Sequence, residues 1–248
     1  FNEDNINGYW FYKKGAPKDK VLLWLHGGGF CSGSFDSHRK LAGEIANIAD
    51  MKVLLVEYRL APEYPFPKGL NDCFKTYSWL IRNNFNPRNI FIGGDSAGGG
   101  LAISTCLKIK EKEMPQPAAL ILISPWLNLA CDGETIDTKS NEDPFLKPNQ
   151  IKFFADKYLQ GHNNKDALVS PIYADLRELP PMLIQVGSRE ILLDDSRKLE
   201  VKAKADEVDV TLQEWQGMCH VWHYFPDLLN DARHALNFIG QYIRNHSK

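Results

Sequence analysis

Hydrophobic residues in this chain occur in short continuous runs, and the segments between the runs repeat apolar residues every three or four positions. Continuous apolar runs are typical of strands buried on both faces, and the helical repeat is typical of amphipathic helices. Strands are predicted at residues 21–25, 52–57, from 89 up to Gly94, 118–124, 182–186 and 210–215, and helices at 36–49, 68–84, after Ser96, at 194–205 and at about 227–243. This alternation predicts an α/β fold with a mainly parallel sheet that carries helices on both faces.

The alternation is interrupted between residues 126 and 170. A segment of this length without a strand is too long for a simple loop in a compact domain, and a helical pattern lies near 150–159. We therefore interpret 126–170 as a partial lid inserted over the sheet. The whole chain, 1–248, is expected to form one domain, since its 248 residues are enough to bury one large core.

Composition excludes several classes of function. A formal net charge of -2 with 24% charged residues gives no argument for nucleic acid or anionic membrane as a partner. No apolar run is long enough to span a bilayer, so no membrane span is predicted. The five cysteines lack C-x-x-C spacing and cannot all pair, which favours a reducing, cytoplasmic location. The chain begins with Phe1 and not Met, so a preceding segment is left open.

A serine lies between the third predicted strand and the helix that follows it, in Gly94-Asp-Ser-Ala-Gly98. This spacing is typical of a nucleophile elbow, a sharp turn that strains the backbone of the serine, here Ser96, and exposes its hydroxyl. The pattern is short, and an ordinary glycine-rich turn between strand and helix is the alternative interpretation.

Chemically distinctive residues also follow three other predicted strands. A glycine run at 27–29 follows the first strand, Glu190 follows the strand at 182–186, and His220 follows the strand at 210–215. The carboxyl ends of parallel strands meet at one edge of a sheet, where ligands collect. The chain order of nucleophile, acid and histidine is that of the α/β-hydrolase fold.

Other interpretations of these clusters are weaker. The glycine run lacks the Gly-Lys-Ser/Thr ending of a phosphate-binding loop, and His26 beside it is expected to fix the loop. His220 and His223 have no third metal ligand near them, so no metal or other cofactor is predicted. Asp194 and Asp195 lie where the N-cap of the next helix is expected, which leaves Glu190 as the better candidate for the acid.

Together these residues resemble the hormone-sensitive-lipase-like family of α/β-hydrolase carboxylesterases, over almost the whole chain. His26-Gly-Gly-Gly29-Phe30 matches the HGGG motif of the family, and Gly94-Asp-Ser-Ala-Gly98 matches its GDSAG motif. The segment Tyr58-Arg-Leu-Ala-Pro-Glu63 is similar to its YRLAPE segment. The acid departs from the usual aspartate of a D-x-L-x-D pattern, because Glu190 occupies that position.

The resemblance implies a site and a reaction. The implied roles are nucleophile for Ser96, base for His220, acid for Glu190, and donors of an oxyanion hole for the N–H groups of Gly28, Gly29 and Ala97. Four large aromatic residues are candidates for the walls of the substrate pocket, with plain core packing as the alternative, namely Phe30, Trp126, Phe145 and Trp222. Family members usually carry cap helices ahead of the first strand, and we expect either that these are absent here or that they precede Phe1.

The sequence therefore predicts a serine carboxylesterase that hydrolyses small to medium acyl esters or lactones through an acyl-enzyme on Ser96. A homodimer is compatible with the sequence. Amide or xenobiotic hydrolysis by the same triad is an alternative, since fold and triad do not separate these reactions. A non-catalytic receptor on the same fold is a second alternative, although receptors of this family lack the histidine that His220 provides.

Overall fold

The computed structural model describes residues 1–3 and 6–247. Its strands are β1 (Asn2–Glu3), β2 (Ile6–Phe11), β3 (Val21–Leu25), β4 (Lys52–Glu57), β5 (Ile90–Asp95), β6 (Ala119–Ile123), β7 (Met182–Gly187) and β8 (Val210–Trp215). They form one sheet in the order β1-β2-β4-β3-β5-β6-β7-β8. Strands β3 to β8 are mutually parallel. All six predicted strands are present, and the prediction of an α/β fold is confirmed.

The sequence pattern missed the two antiparallel strands, β1 and β2, at one edge of the sheet. β2 pairs with β4 in a register that places Trp10 opposite Leu54. The first four residues of β2 alternate between buried and exposed, as expected of a strand covered on one face only. A strand of this kind has no continuous apolar run, and Asn7 and Gly8 further weaken its β signal.

Helices cover both faces of the sheet. They are α1 (Phe35–Ala49), α2 (Lys68–Arg82), α3 (Ala97–Glu111), α4 (Glu134–Thr138), α5 (Pro148–Leu159), α6 (Leu193–Ala205) and α7 (Asn230–His246). Along β3, Leu22 and Trp24 belong to the core beneath α1 and α7, whereas Leu23 and Leu25 belong to the core beneath α2 and α3. This period of two explains why a strand buried on both faces is apolar at every position.

The last helix starts later than the sequence pattern predicts. α7 begins at Asn230 and not near 227, and Leu228 is 81% exposed in the turn before it. Leu228 therefore does not belong to the buried stripe of α7, which Ala232, Ala235 and Ile239 do form. No helix within residues 1–3 and 6–247 is both long and apolar enough to cross a lipid bilayer.

The connection between β6 and β7 contains α4 and α5 and corresponds to the predicted insertion at 126–170. It lies against the loop that follows β3, because Tyr158 of α5 stacks on Phe30 with ring centroids 4.0 Å apart. The backbone N–H of Phe66 also donates to the carbonyl of Tyr158 at 2.9 Å. These contacts place the insertion beside the carboxyl ends of the parallel strands.

Candidate active site

Ser96 lies between β5 and α3 with a left-handed backbone, at φ 54° and ψ -123°. Few residues other than glycine adopt such a conformation, and the surrounding structure must hold it. The Ser96 N–H donates to the carbonyl of Ile123 at 2.9 Å, and the Ser96 carbonyl accepts from the N–H of Trp126 at 2.9 Å. Because α3 begins at the next residue, the positive end of its dipole faces any negative charge that forms at Ser96.

His220 and Glu190 form a buried pair. His220 Nδ1 lies 2.8 Å from Glu190 Oε2, and the two side chains are 9% and 0% exposed. Because a carboxylate can only accept, the ring proton is assigned to Nδ1, which leaves Nε2 free to accept a proton. A buried carboxylate that pairs with a histidine in this way is the arrangement that orients a general base.

The other oxygen of Glu190 is also fully engaged. Glu190 Oε1 accepts from the Ser124 hydroxyl at 2.7 Å and from the backbone N–H of Gly187 at 2.6 Å. Ser124 Oγ in turn accepts from the N–H of Val221 at 3.1 Å, next to His220. Ser124 thus connects Glu190 to the loop that carries His220, and the sequence pattern did not identify Ser124. Its position directly after β6, at the edge where the site residues collect, was the available signal.

The pKa of His220 reflects two opposing effects. Burial alone would lower it, but the hydrogen bond to Glu190 and the negative charges of Glu190, Asp143 and Asp95 together outweigh burial, so the pKa of His220 lies above its ordinary value of 6.5. His220 becomes a base only as the pH rises through that raised pKa.

The glycine run after β3 forms a loop with an unusual backbone. Gly28 and Gly29 have φ angles of 119° and 62°, and a Cβ at Gly28 would collide with the carbonyl of Ser32. Within residues 1–3 and 6–247, the N–H groups of Gly28, Gly29 and Ala97 donate to no backbone acceptor outside the regular helices and strands. These three donors are therefore available to a ligand oxygen.

Ser96, His220, Gly28 and Gly29 line one cavity of about 390 Å³. The apolar part of its lining consists of Trp126, Phe145, Leu146, Ile151, Phe154, Leu192, Val221 and Phe225. The polar part, called the polar end below, consists of Ser32, Ser37, His38, Asp95 and Tyr224. A cavity of this volume suits a small molecule, and most of its lining is apolar.

Comparison with known proteins places the chain in a family. A family model described as the alpha/beta hydrolase fold matches residues 22–224. A crystal structure of an esterase from the bacterial hormone-sensitive lipase family superposes with a TM-score of 0.95 at 40% identity, covering 100% of this chain and 86% of that one. This chain belongs to the hormone-sensitive-lipase-like family of α/β-hydrolases. The resemblance inferred from the motifs is confirmed.

Relatives of this hydrolase have been named as ester hydrolases. An acetyl-hydrolase of Streptomyces hygroscopicus is 39% identical over 91% of this chain and 75% of its own length. An esterase of Acinetobacter venetianus is 35% identical over 93% of this chain and 76% of its own length. These relatives confirm the prediction that the chain is a carboxylic ester hydrolase.

Two of the four predicted pocket residues do not line the cavity of the hydrolase. Trp222 is fully buried in a separate cluster, where its ring lies 5.9 Å from that of Trp215. Phe30 is 3% exposed and packs between Trp126 and Tyr158, behind the lining. Both are core residues, so their prediction as pocket residues was wrong, whereas Trp126 and Phe145 do line the cavity. The sequence pattern missed Phe154 and Ile151, which α5 contributes to the lining. The helical pattern inside the insertion was the sequence feature that could have identified them.

The expectation that Asp194 and Asp195 cap α6 is wrong. The first turn of this helix has no side-chain cap. Asp194 instead accepts from the N–H of Glu134 at 3.0 Å. Asp195 is buried and accepts from the N–H groups of Leu127 and Asn128 at 2.8 and 3.1 Å. Burial, only partly offset by these two hydrogen bonds, raises the pKa of Asp195 to about 7.

The two remaining histidines near the motifs have local roles. His26 Nδ1 lies 2.8 Å from the carbonyl of Gly27, and its ring stacks on Tyr58 at 4.3 Å, which fixes the start of the glycine loop. His223 is buried with Nε2 2.8 Å from Gln185 Oε1, and burial lowers its pKa to about 3. Among residues 1–3 and 6–247, no group of three acidic, histidine or cysteine side chains could hold a metal ion.

Proposed function

We propose that this hydrolase cleaves carboxylic esters through an acyl-enzyme on Ser96. His220 Nε2 takes the proton of the Ser96 hydroxyl as Oγ attacks the ester carbonyl carbon, and then gives that proton to the departing alcohol. Water, activated by the same nitrogen, releases the acid. The observation that carries the proposal is the buried Glu190–His220 hydrogen bond at the cavity that Ser96 also lines.

Negative charge develops on the former carbonyl oxygen during each attack. The N–H groups of Gly28, Gly29 and Ala97 are proposed to bind this oxyanion. This proposal is supported by the lack of a backbone acceptor for them among the described residues, outside the regular helices and strands. Losing one such donor typically costs about 3 kcal/mol of transition-state stabilisation. The two positive φ angles explain why glycines occupy the loop, since other residues could not turn their N–H groups into the cavity without strain.

The proposed substrates are small to medium acyl esters or lactones. The cavity volume of about 390 Å³ limits the size of the ester, and the rings of Trp126 and Phe145 offer apolar contact to it. The name of the Streptomyces hygroscopicus relative, an acetyl-hydrolase, supports the small end of this range. No metal or cofactor takes part in the proposed reaction.

The insertion at 126–170 is proposed to act as a partial lid within one domain. It supplies Trp126, Phe145, Ile151 and Phe154 to the cavity, so its opening would admit substrate and its closure would exclude water. Hydrogen exchange with and without a covalent phosphonate on the nucleophile tests this proposal. We expect slower exchange in 145–159 after labelling, and unchanged exchange there would contradict a lid.

Location and assembly are proposals as well. All five cysteines are free thiols, which supports a reducing cytoplasmic location, tested by cell fractionation. A homodimer is supported by the edge strand β8, whose outer side pairs with no other strand among residues 1–3 and 6–247, which leaves that side for a strand of a second copy. Sedimentation velocity over a range of concentrations would contradict the dimer if only monomer is found.

A series of p-nitrophenyl esters of increasing acyl length, combined with fluorophosphonate labelling, tests the proposed reaction. We expect turnover to fall once the acyl chain outgrows the cavity, and Ser96→Ala to abolish turnover and labelling. Ser78→Ala, on α2 and outside the cavity lining, is the matched control. Labelling that survives in Ser96→Ala would move the nucleophile elsewhere. Matched anilides distinguish amide hydrolysis, which we expect to be slower than ester hydrolysis.

A further inference from the structure

The polar end of the cavity contains a second pair of a histidine and a carboxylate, which the triad does not use. His38 Nε2 lies 3.2 Å from Asp95 Oδ2, and the two side chains are 5% and 2% exposed. Asp95 directly precedes Ser96, and its carboxylate also accepts from Trp24 Nε1–H at 3.2 Å and from the Tyr224 hydroxyl at 3.3 Å. A buried charge is thus held next to the nucleophile.

The same ring nitrogen of His38 also faces the glycine loop. The backbone N–H of Gly27 points at His38 Nε2 from 3.2 Å, while His38 Nδ1 lies 2.8 Å from Ser37 Oγ. A carboxylate can only accept and a backbone N–H can only donate, so Nε2 satisfies one of its two neighbours at a time. When protonated, it donates to Asp95. When deprotonated, it accepts from Gly27 and leaves Asp95 without that donor.

The surroundings favour the protonated form. Burial alone would lower the pKa of His38, but the charge and hydrogen bond of Asp95, a hydrogen bond to the Ser34 backbone and the charge of Glu57 together outweigh burial and hold this pKa above 6.5. The other rings that face His38 carry no charge at neutral pH. His26, 5.1 Å away between centroids, has a pKa lowered to about 4 by burial, and the pKa of Tyr224, 5.6 Å away, is raised far above neutrality by burial.

We propose that His38 is a positioning residue whose imidazolium balances the charge of Asp95 and thereby sets the alkaline limit of catalysis. The proposal rests on the mechanism proposed for Ser96, because the charge matters through the oxyanion that forms beside that residue. With His38 protonated, Asp95 carries a balanced charge and the oxyanion meets only donors. Loss of the positive charge leaves an unbalanced carboxylate adjacent to the nucleophile. Where the proton is lost from Nε2, this nitrogen accepts from the N–H of Gly27 at the start of the oxyanion loop instead of donating to Asp95.

His38→Gln is the decisive variant, because a glutamine amide is neutral, does not titrate, and offers both a donor and an acceptor to the two neighbours of Nε2. We expect kcat at neutral pH to fall at least about tenfold with KM changed less than about threefold, since the loss acts on charge in the transition state. The alkaline fall in kcat of the unchanged enzyme should disappear. His234→Gln, an exposed histidine on α7, is the matched control.

Asp95→Asn completes a double-mutant cycle. Once the carboxylate is neutral there is no charge to balance, so His38→Gln should change kcat less than about threefold in the Asp95→Asn background. Additive effects of the two substitutions, or an unchanged alkaline fall in His38→Gln, would overturn the proposal. If His38→Gln does not fold, Asp95→Asn alone decides, because an alkaline fall retained without the carboxylate has another cause. Residual turnover in Ser96→Ala would instead refute the nucleophile assignment, independently of His38.

Discussion

Replacing Glu190 by glutamine tests the acid of the triad, because the structure dictates how the new amide must be oriented. Glu190 Oε1 accepts two hydrogen bonds, one of them from the backbone N–H of Gly187, which cannot be reversed. The amide oxygen of a glutamine must therefore take this position, and its NH₂ group must face His220 Nδ1. A donor at that point forces Nδ1 to accept, which moves the ring proton to Nε2.

The expected magnitude follows from that change of tautomer. Nε2 is the nitrogen that must take the proton of Ser96. In the tautomer that already carries the ring proton on Nε2, this nitrogen cannot accept another proton without forming the imidazolium. The corresponding substitution in the aspartate form of this triad lowers kcat by about 10⁴, equivalent to roughly 5 kcal/mol in the barrier. We expect a similar loss here with KM little changed, because Glu190 is fully buried and does not reach the cavity. Folding should be retained, since every former partner of the carboxylate keeps a partner.

This prediction is tested by the steady-state turnover of p-nitrophenyl butyrate, with the melting temperature as a check on folding. Glu111→Gln, exposed at the end of α3, is the matched control for the chemical change. Asp194→Asn should retain near-normal kcat, because Asp194 bonds to the N–H of Glu134 and does not line the cavity. Near-normal kcat in Glu190→Gln would refute the reasoning, and a collapse in Asp194→Asn would move the acid to that residue.

Three further predictions follow from the same contacts. The raised pKa of His220 predicts that kcat/KM increases with pH through a kinetic pKa above 6.5, as the ring loses its proton; a pH-rate profile with an acid limb at or below 6.5 contradicts this. Ser124→Ala removes one donor to Glu190 and is expected to lower kcat about tenfold, together with the melting temperature. The pKa of Asp195, about 7 in the folded chain, exceeds its unfolded value near 3.8, so the stability it contributes is fully present below pH 3.8 and is lost as pH rises through 7. That loss is at most roughly 4 kcal/mol in total, of which roughly 3 kcal/mol falls between pH 5 and pH 8. Urea unfolding at pH 5 and pH 8 should therefore show a loss that is larger by about this amount in the unchanged chain than in Asp195→Asn.

The inner parallel strands could be predicted from sequence because burial on both faces leaves them few polar positions. The edge strand β8 is the exception, since its residues are only partly buried or exposed and include Thr211, Gln213 and Glu214. Residues 21–25, 52–57 and 210–215 were predicted with the bounds that β3, β4 and β8 have in the structure. β2 was missed because one of its faces is partly exposed, which mixes Asn7 and Gly8 into the pattern and hides the strand.

The triad candidates were predictable for a topological reason. Ser96, Glu190 and His220 each follow a parallel strand at its carboxyl end, and parallel strands bring those ends to one edge of the sheet. The pocket lining was less predictable, because the direction of a side chain depends on tertiary packing. Trp222 lies only two residues after His220, yet the 3₁₀ turn that begins there directs its ring into the cluster beneath α7.

Asp195 shows why local sequence reasoning assigned the wrong role to one residue. An aspartate at the start of a helix ordinarily caps the backbone of that helix. The donors that Asp195 meets lie instead in the loop that follows β6, sixty-eight and sixty-seven residues earlier in the chain. Oδ2 of Asp195 is occupied by the N–H groups of Leu127 and Asn128, in the loop that also carries Trp126 into the cavity. Among the described residues, the carboxylate that His220 Nδ1 contacts is that of Glu190 and not that of Asp195. The two carboxylates therefore differ in their contacts, since Asp195 accepts from the N–H groups of Leu127 and Asn128, whereas Oε2 of Glu190 lies against His220 Nδ1. This difference supports the proposal that Glu190 sets the tautomer of the base.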